Sequence, residues 1–177
     1  MRVIEANVRR DTIDQTVVAA RSRDHDPARW ALPLIAEADA RCGQQWSLVE
    51  LDLAEVADLW LPAHAGEPCH GDNAPLAGGA GGRAGICAQW LAESAVAYAR
   101  SNPTCWQRIT AARDSTWGPI VVAPFSVGDR HAPAEQPLVV IDGLHRVLGW
   151  SLRDGHEPLR AFLAGPAHGS CRAGCSR

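Results

Sequence analysis

The residues best suited to chemistry form one short segment, Asp-Gly-Leu-His-Arg at 142–146. A β-branched run at 139–141 precedes the segment and predicts a strand, and the apolar spacing after it predicts a helix. At such a strand-turn-helix junction the first amide groups of the helix lack intrahelical partners and attract anions. The segment therefore predicts a binding site for negative charge.

The charges in this segment are opposite to those that a helix start favours. The helix dipole favours acidic residues in the first turn, but His145 and Arg146 stand there, at a cost of about 0.5 kcal/mol each. A bound phosphate, sulfate or carboxylate would reverse that cost, because guanidinium and amide groups donate hydrogen bonds to it. We expect Gly143, Leu144 and Arg146 to bind the anion. His145 would transfer a proton, and Asp142 would cap the helix and orient the turn, so that His145, Arg146 and Asp142 form the catalytic set.

The polar loop before this strand supplies further candidates. Arg130 is expected to add a second guanidinium to the anion site, with Asp129 and His131 in support. A purely structural interpretation also fits the turn, in which Asp142 is a cap and Arg146 pairs with Asp142 or Glu157. The sequence leaves both interpretations open.

Six cysteines offer a second kind of chemistry. Reduced thiols are expected, because disulfide scaffolds are typical of small secreted chains. Cys105 with His145 would make a cysteine-histidine hydrolase, a third hypothesis that the sequence around Cys105 does not favour. Cys171 and Cys175 have a spacing that zinc sites tolerate, but no second pair completes a site. We therefore predict a frayed terminus there and no metal.

A loop rich in Gly and Pro at 62–85 carries other potential ligands, namely His64, Cys69, His70 and Asp72. Their spacing matches no closed metal site, which favours a solvated polar loop. The glycines at the end of this loop fit a dinucleotide-binding pattern only loosely, because no clear strand precedes them.

Composition limits the function classes. All 17 cationic side chains are Arg, which excludes a Schiff-base lysine, a pyridoxal-phosphate attachment and a Walker lysine. The net charge of -3 makes DNA an unexpected partner, since DNA-coating proteins need a broad basic surface. The sequence has no apolar stretch of about 18 residues and no signal-peptide core, so we expect a cytoplasmic protein that does not contact a membrane.

The candidate sites need a scaffold, and the patterns predict an α+β fold. Residues 1–165 are expected to form one domain. Within it, 1–117 would be a mainly helical layer interrupted by the loop at 62–85, and 118–165 a strand-turn-helix-strand motif on a small mixed sheet. Residues 166–177 are expected to be a flexible tail.

Individual helices give more specific expectations. Asp11 is expected to cap the first helix, and Trp30 to face the core from the second. The acidic residues Asp52 and Glu55 predict a capping box at a third helix. Ile86 is expected on the buried face of a long helix that ends before Pro103.

The segment 118–165 resembles the ParB/sulfiredoxin superfamily through the pattern Asp-Gly-Leu-His-Arg. In relatives this turn binds nucleotide phosphates, as the CTP or ATP site of partition proteins, sulfiredoxins and some small amino-acid kinases. The resemblance implies an anion-binding role for Gly143, His145 and Arg146. It makes a nucleotide with Mg²⁺ one candidate cofactor, and the sequence leaves the cofactor open. Sulfiredoxins have a Cys where this chain has Leu144, and the second Arg and helix-turn-helix of partition proteins are not evident, so neither sulfinic acid reduction nor partition is implied.

Two function classes follow. The first is a small enzyme or enzyme subunit that binds the phosphate or sulfate of a small molecule and catalyses phosphoryl transfer or displacement of an anionic leaving group by positioning and charge. Similarity to small actinobacterial families, some encoded beside natural-product genes, implies a place in bacterial specialised metabolism. The second is a non-catalytic, nucleotide-sensing or partner-binding ParB-like module. Seven Trp residues favour contact surfaces, as in a homodimer or a heteromeric complex.

Overall fold

The computed structural model describes residues 1–20, 30–62, 81–115, 118–128, 138–153 and 157–165. Within these ranges there are seven strands and six helices. The strands are β1 (Arg2–Ala6), β2 (Trp46–Leu51), β3 (Trp60–Leu61), β4 (Gly82–Arg83), β5 (Ile120–Ala123), β6 (Val139–Asp142) and β7 (Leu159–Ala164). The helices are α1 (Arg10–Ala19), α2 (Leu32–Arg41), α3 (Leu53–Ala57), α4 (Ala84–Ser101), α5 (Pro103–Arg113) and α6 (Leu144–Ser151).

The strands form one mixed sheet in the order β1-β2-β7-β5-β6-β3-β4. β2 pairs antiparallel with both β1 and β7, and β5 lies parallel to β7 and antiparallel to β6. β6 is an interior strand, because β3 pairs with its other edge. The turn that carries the predicted chemistry therefore opens at the carboxyl end of an interior strand, a place where α/β proteins often bind ligands.

The sheet separates two hydrophobic cores. In β5, Ile120 and Val122 enter one core, and Val121 and Ala123 enter the other, because successive side chains of a strand point to opposite faces. The first core is closed by α3, α4, α5 and α6, and the second by α1 and α2. The candidate chemistry belongs to the four-helix face.

The predicted α+β class is confirmed, and so are the strands and the helix of the motif at 118–165. The short strand that the apolar run at 46–51 predicts is present as β2. The sheet is nevertheless larger than the predicted one, because β1, β3 and β4 also come from the part of the chain expected to be mainly helical. β1 is exposed at all five positions, so it has no buried alternation to reveal it. β3 and β4 have two residues each, too few to show a period.

The helix starts are partly as predicted. Asp52 and Glu55 form the predicted capping box at α3, each side chain accepting a hydrogen bond from the other residue's backbone amide. Asp11 does not cap α1, since Arg9 occupies the cap position and Asp11 lies in the first turn. There its carboxylate still has a favourable interaction with the helix dipole.

Two side chains expected in the core face solvent. Trp30 is 44% exposed, and the residues that α2 buries fully are Ile35 and Ala38. Ile86 is 58% exposed, while Cys87 and Leu91 of the same helix are fully buried. The prediction for Ile86 was therefore wrong, because Cys87 takes its place on the buried face of α4.

The loop predicted at 62–85 is shorter than expected at its carboxyl end, where Gly82 and Arg83 pair with β3 and α4 begins at Ala84. The potential ligands of this loop, from His64 to Asp72, lie outside the described residues. In the part of the chain that the structure describes, no helix is long and apolar enough to cross a membrane, including the 18-residue α4.

Candidate active site

The turn between β6 and α6 depends on a glycine. Gly143 is the residue before the helix and has φ +104°, a left-handed conformation that side chains rarely adopt. A Cβ atom there would also lie 2.6 Å from Cγ2 of Ile120 on β5. The predicted sharp turn at Gly143 is therefore present, but Asp142 is not the cap that was expected, because no side chain caps α6.

The Asp142 carboxylate is instead bonded to Arg146, four residues on. The same guanidinium donates hydrogen bonds to the backbone carbonyls of Pro119 at 2.8 Å and Gly118 at 3.1 Å. With its side chain only 16% exposed, Arg146 fastens the first turn of α6 to the entrance of β5. These contacts agree with the structural interpretation of the turn, in which Arg146 forms an ion pair with Asp142 instead of binding an anion.

His145 points elsewhere, toward α5. Its Nε2 atom lies 3.3 Å from the Cys105 sulfur, within hydrogen-bond range for a thiol. Cys105 is fully buried, whereas His145 is partly exposed. The two adjacent residues of the predicted anion site, His145 and Arg146, thus take part in two different sets of contacts.

A glycine on α6 makes the contact between His145 and Cys105 possible. Gly149 lies one helical turn after His145, on the same face. A Cβ atom at Gly149 would lie 2.6 Å from the Ile109 carbonyl oxygen and 2.7 Å from the Arg113 amide nitrogen. The two helices therefore run side by side in the same direction, with the backbone of α6 against that of α5.

A third polar group touches the sulfur from α4. The Tyr98 hydroxyl oxygen lies 2.9 Å from Cys105 Sγ, and either atom can donate the proton. The Tyr98 ring is held edge-to-face between Trp90, at 5.6 Å between ring centroids, and Trp106, at 6.3 Å. Three helices thus bring a phenol, a thiol and an imidazole into one row, in which the phenol and the thiol are buried and the imidazole is partly exposed.

The position of Cys105 in its own helix also affects its chemistry. It is the third residue of α5, where the positive end of the helix dipole stabilises a thiolate. The residue before α5, Asn102, is 2% exposed, and its Oδ1 atom is buried without a hydrogen-bond partner. Asn102 does not cap α5 with its side chain, so the first turn of that helix is not neutralised from there.

Cys87 shows what burial alone does to the pKa of a thiol in this protein. It lies on α4, is as fully buried as Cys105, and burial raises its pKa from 9.0 to about 12. A thiol in that environment stays protonated and unreactive at neutral pH. Cys105 differs from it by its polar neighbours.

The structure thus brings together only part of the predicted site. Asp142, Gly143, Leu144 and the two basic residues do form the predicted turn. The supporting loop residues, Asp129, Arg130 and His131, lie outside the described residues, as do the tail cysteines Cys171 and Cys175. Among the described residues, no group of three or more His, Cys, Asp or Glu could hold a metal ion.

In this conformation the turn does not suit a nucleoside triphosphate with Mg²⁺. The guanidinium of Arg146 is engaged by a carboxylate and two carbonyls, and the Asp142 carboxylate would repel a phosphate placed beside it. The nucleotide implied by the sequence resemblance accordingly stays a prediction, and no chemical step is derived from it.

Sequence reasoning missed Tyr98 and Asn102, and it ranked the pair of Cys105 and His145 last. One signal was available: Asn102-Pro103 predicts a helix start that puts Cys105 in the first turn. The contact with His145 joins positions 40 residues apart, so no local pattern could reveal it.

The chain belongs to a family of unknown function, DUF6309, whose model matches residues 9–176. The match includes every described residue of the candidate site. No curated protein and no solved structure matches the chain. The family assigns no activity, and the similarity to the ParB/sulfiredoxin superfamily stays a prediction.

Proposed function

We propose that the protein is a cysteine-dependent enzyme for acyl compounds, in which Cys105 is the nucleophile and His145 the general base. The observation that carries this proposal is the 3.3 Å contact between Cys105 Sγ and His145 Nε2, made between two helices far apart in the sequence. A nucleophile within hydrogen-bond reach of a base is the usual arrangement for covalent catalysis.

The reaction follows from these two groups. His145 Nε2 accepts the thiol proton, and the sulfur attacks the carbonyl carbon of an ester, thioester or amide. The bond to the leaving group then breaks, and the imidazolium returns the proton to that group, which leaves a thioester on Cys105. Water, deprotonated by His145, attacks the thioester, releases the carboxylic acid and restores the thiol.

Access to the sulfur is the main demand that this mechanism makes. Cys105 has no exposed surface, while His145 is partly exposed. A substrate can reach the sulfur only when the surrounding helices open locally, as catalytic elements of low local stability do. We therefore expect slow reaction with small unselective reagents and faster reaction with a fitting substrate.

Acyl trapping tests this proposal. After incubation with p-nitrophenyl acetate, peptide mass analysis should find an acetyl group on Cys105 that hydroxylamine removes. His145→Gln should slow that acylation by about a hundredfold or more, since about a hundredfold is the lower end of the range for general-base catalysis. Cys87→Ser is the matched control, because it removes an equally buried thiol and should leave the acylation of Cys105 unchanged.

Two results would contradict the proposal. One is an acylation rate at Cys105 that His145→Gln leaves unchanged, and the other is a wild-type protein in which Cys105 takes up no acyl group. Circular dichroism of each variant checks that the fold is retained.

A second candidate is the phosphate- or sulfate-binding enzyme predicted from the sequence. One observation favours it: no side chain caps the first turn of α6, so an anion could interact with amides there. The Asp142 carboxylate opposes it by occupying Arg146. Asp142→Asn should then raise the thermal stabilisation given by sulfate or phosphate, and equal small shifts in wild type and variant would exclude this site.

A further inference from the structure

We propose that Tyr98 is a positioning residue that acts through Cys105, holding its sulfur as a thiolate toward His145. This inference rests on the proposed function and deepens it, since it states how the resting site is charged. The phenol, the sulfur and the imidazole lie in a row across three helices, with 2.9 Å from oxygen to sulfur and 3.3 Å from sulfur to nitrogen.

The hydrogen bonds within this row favour transfer of the thiol proton of Cys105 to His145. A neutral thiol has one proton, which it can donate to His145 while accepting one from Tyr98. Once that proton has moved to His145, the sulfur accepts hydrogen bonds from both the Tyr98 hydroxyl and the Nε2–H group. Hydrogen bonds to a charged acceptor are about twice as strong as neutral ones, so both contacts strengthen when the thiolate forms.

The phenol is fixed in the place where this contact requires it. Tyr98 is 2% exposed, and its ring is enclosed edge-to-face by Trp90 and Trp106. Because the ring cannot leave without breaking both aromatic contacts, the hydroxyl stays on the sulfur at little entropic cost. A tyrosine on the protein surface would not give such a constant contact.

The other charges around the sulfur support the same state or lie further along the helices. On α5, the amide end of the helix favours the thiolate, and Arg108 stands one turn after Cys105. On α6, Arg146 is the residue after His145, and its charge is paired with the Asp142 carboxylate. Burial acts against the thiolate, as it does at Cys87 on α4, where the pKa rises to about 12.

Tyr98→Phe isolates the hydroxyl, because it keeps the ring that Trp90 and Trp106 enclose. We expect the midpoint of the pH profile for alkylation of Cys105 by iodoacetamide to move up by about one unit, so that below the wild-type midpoint the rate falls about tenfold. Peptide mapping assigns the rate to this cysteine. Cys87→Ser is the matched control, since it changes another fully buried side chain of α4 and should leave the midpoint for Cys105 in place.

The outcomes separate this inference from the proposed function. If His145→Gln slows alkylation but Tyr98→Phe leaves both rate and midpoint unchanged, Tyr98 has only a packing role and the inference is wrong. If neither variant changes the profile, the proposed function fails as well. Should Tyr98→Phe fail to fold, the ultraviolet absorbance of the thiolate decides: wild type minus Cys105→Ser must show a thiolate at neutral pH, and its absence overturns the inference.

Discussion

At the scale of single residues, the structure gives neighbouring side chains of one turn different tasks. Arg146 fastens the turn to β5, Gly143 lets the chain reverse beside Ile120, and His145 reaches the sulfur of another helix. Such a division follows from helix geometry, because consecutive residues point about 100° apart around the axis. A pentapeptide that looks like one binding motif therefore serves two purposes.

Arg146→Ala is expected to destabilise the fold. It removes hydrogen bonds to two backbone carbonyls and leaves Asp142 without its ion-pair partner, which should cost about 1–3 kcal/mol. Urea unfolding of the variant measures this loss. Arg9→Ala is the matched control: with a side chain 79% exposed, Arg9 should contribute at most a few tenths of a kcal/mol. Equal stability of the two variants would contradict the fastening role of Arg146.

Cys87 makes the fold sensitive to alkali. Its pKa is about 12 in the folded protein and 9.0 when exposed, so between these values the unfolded chain loses a proton that the folded chain retains. The contribution of the protonated Cys87 thiol to the free energy of unfolding is complete below pH 9.0 and is lost as the pH rises toward 12. Melting temperatures of wild type and Cys87→Ala should therefore converge over this range. A difference that stays constant across it would refute the raised pKa.

At the scale of elements, the close packing of α5 against α6 sets the distance between thiol and imidazole. Arg153, just after α6, adds hydrogen bonds from its guanidinium to the carbonyls of Arg113 and Ser115, at 2.6 Å and 2.9 Å. The two helices are thus in contact at both ends and at Gly149 between them. The candidate site is a product of this pairing, since each helix supplies one reactive group.

Gly149→Ala should weaken both the fold and the site. The new methyl group would meet backbone atoms of α5 at 2.6–2.7 Å, which must move the helices apart at a cost of about 1–3 kcal/mol. Alkylation of Cys105 should then depend less on His145. Gly118→Ala is the control, because the nearest atom to its Cβ would be Thr16 Cγ2 at 3.6 Å, an ordinary contact. If both variants are equally stable, the close approach at Gly149 is not required.

Elements with a buried face could be predicted from the sequence, and the others could not. β5, β6 and β7 could be predicted from their continuous apolar runs and α6 from its helical apolar spacing, because each of these elements is largely buried. β1 is exposed throughout, and the two-residue strands gain their conformation from neighbours rather than from their own residues. For such elements tertiary pairing decides the structure, and local propensity carries little information.

At the scale of the whole molecule, the sheet brings the carboxyl-terminal motif against helices from the middle of the chain. The anion-binding hypothesis was built from the motif alone, because only local spacing is visible in a sequence. The contact of Cys105 with His145 appears only after α4 and α5 have packed on the same face of the sheet as α6. Pairs of this kind, 40 residues apart, are beyond local pattern analysis.

The relative reactivity of Cys105 and Cys87 shows whether Cys105 and His145 form a reactive pair. Both thiols are fully buried on adjacent helices, so burial alone predicts similar, very slow alkylation. The proposed pair predicts that iodoacetamide labels Cys105 at least about tenfold faster than Cys87 in the folded wild-type protein at neutral pH, as measured by quantitative peptide mapping. Equal labelling rates for the two cysteines would contradict the account.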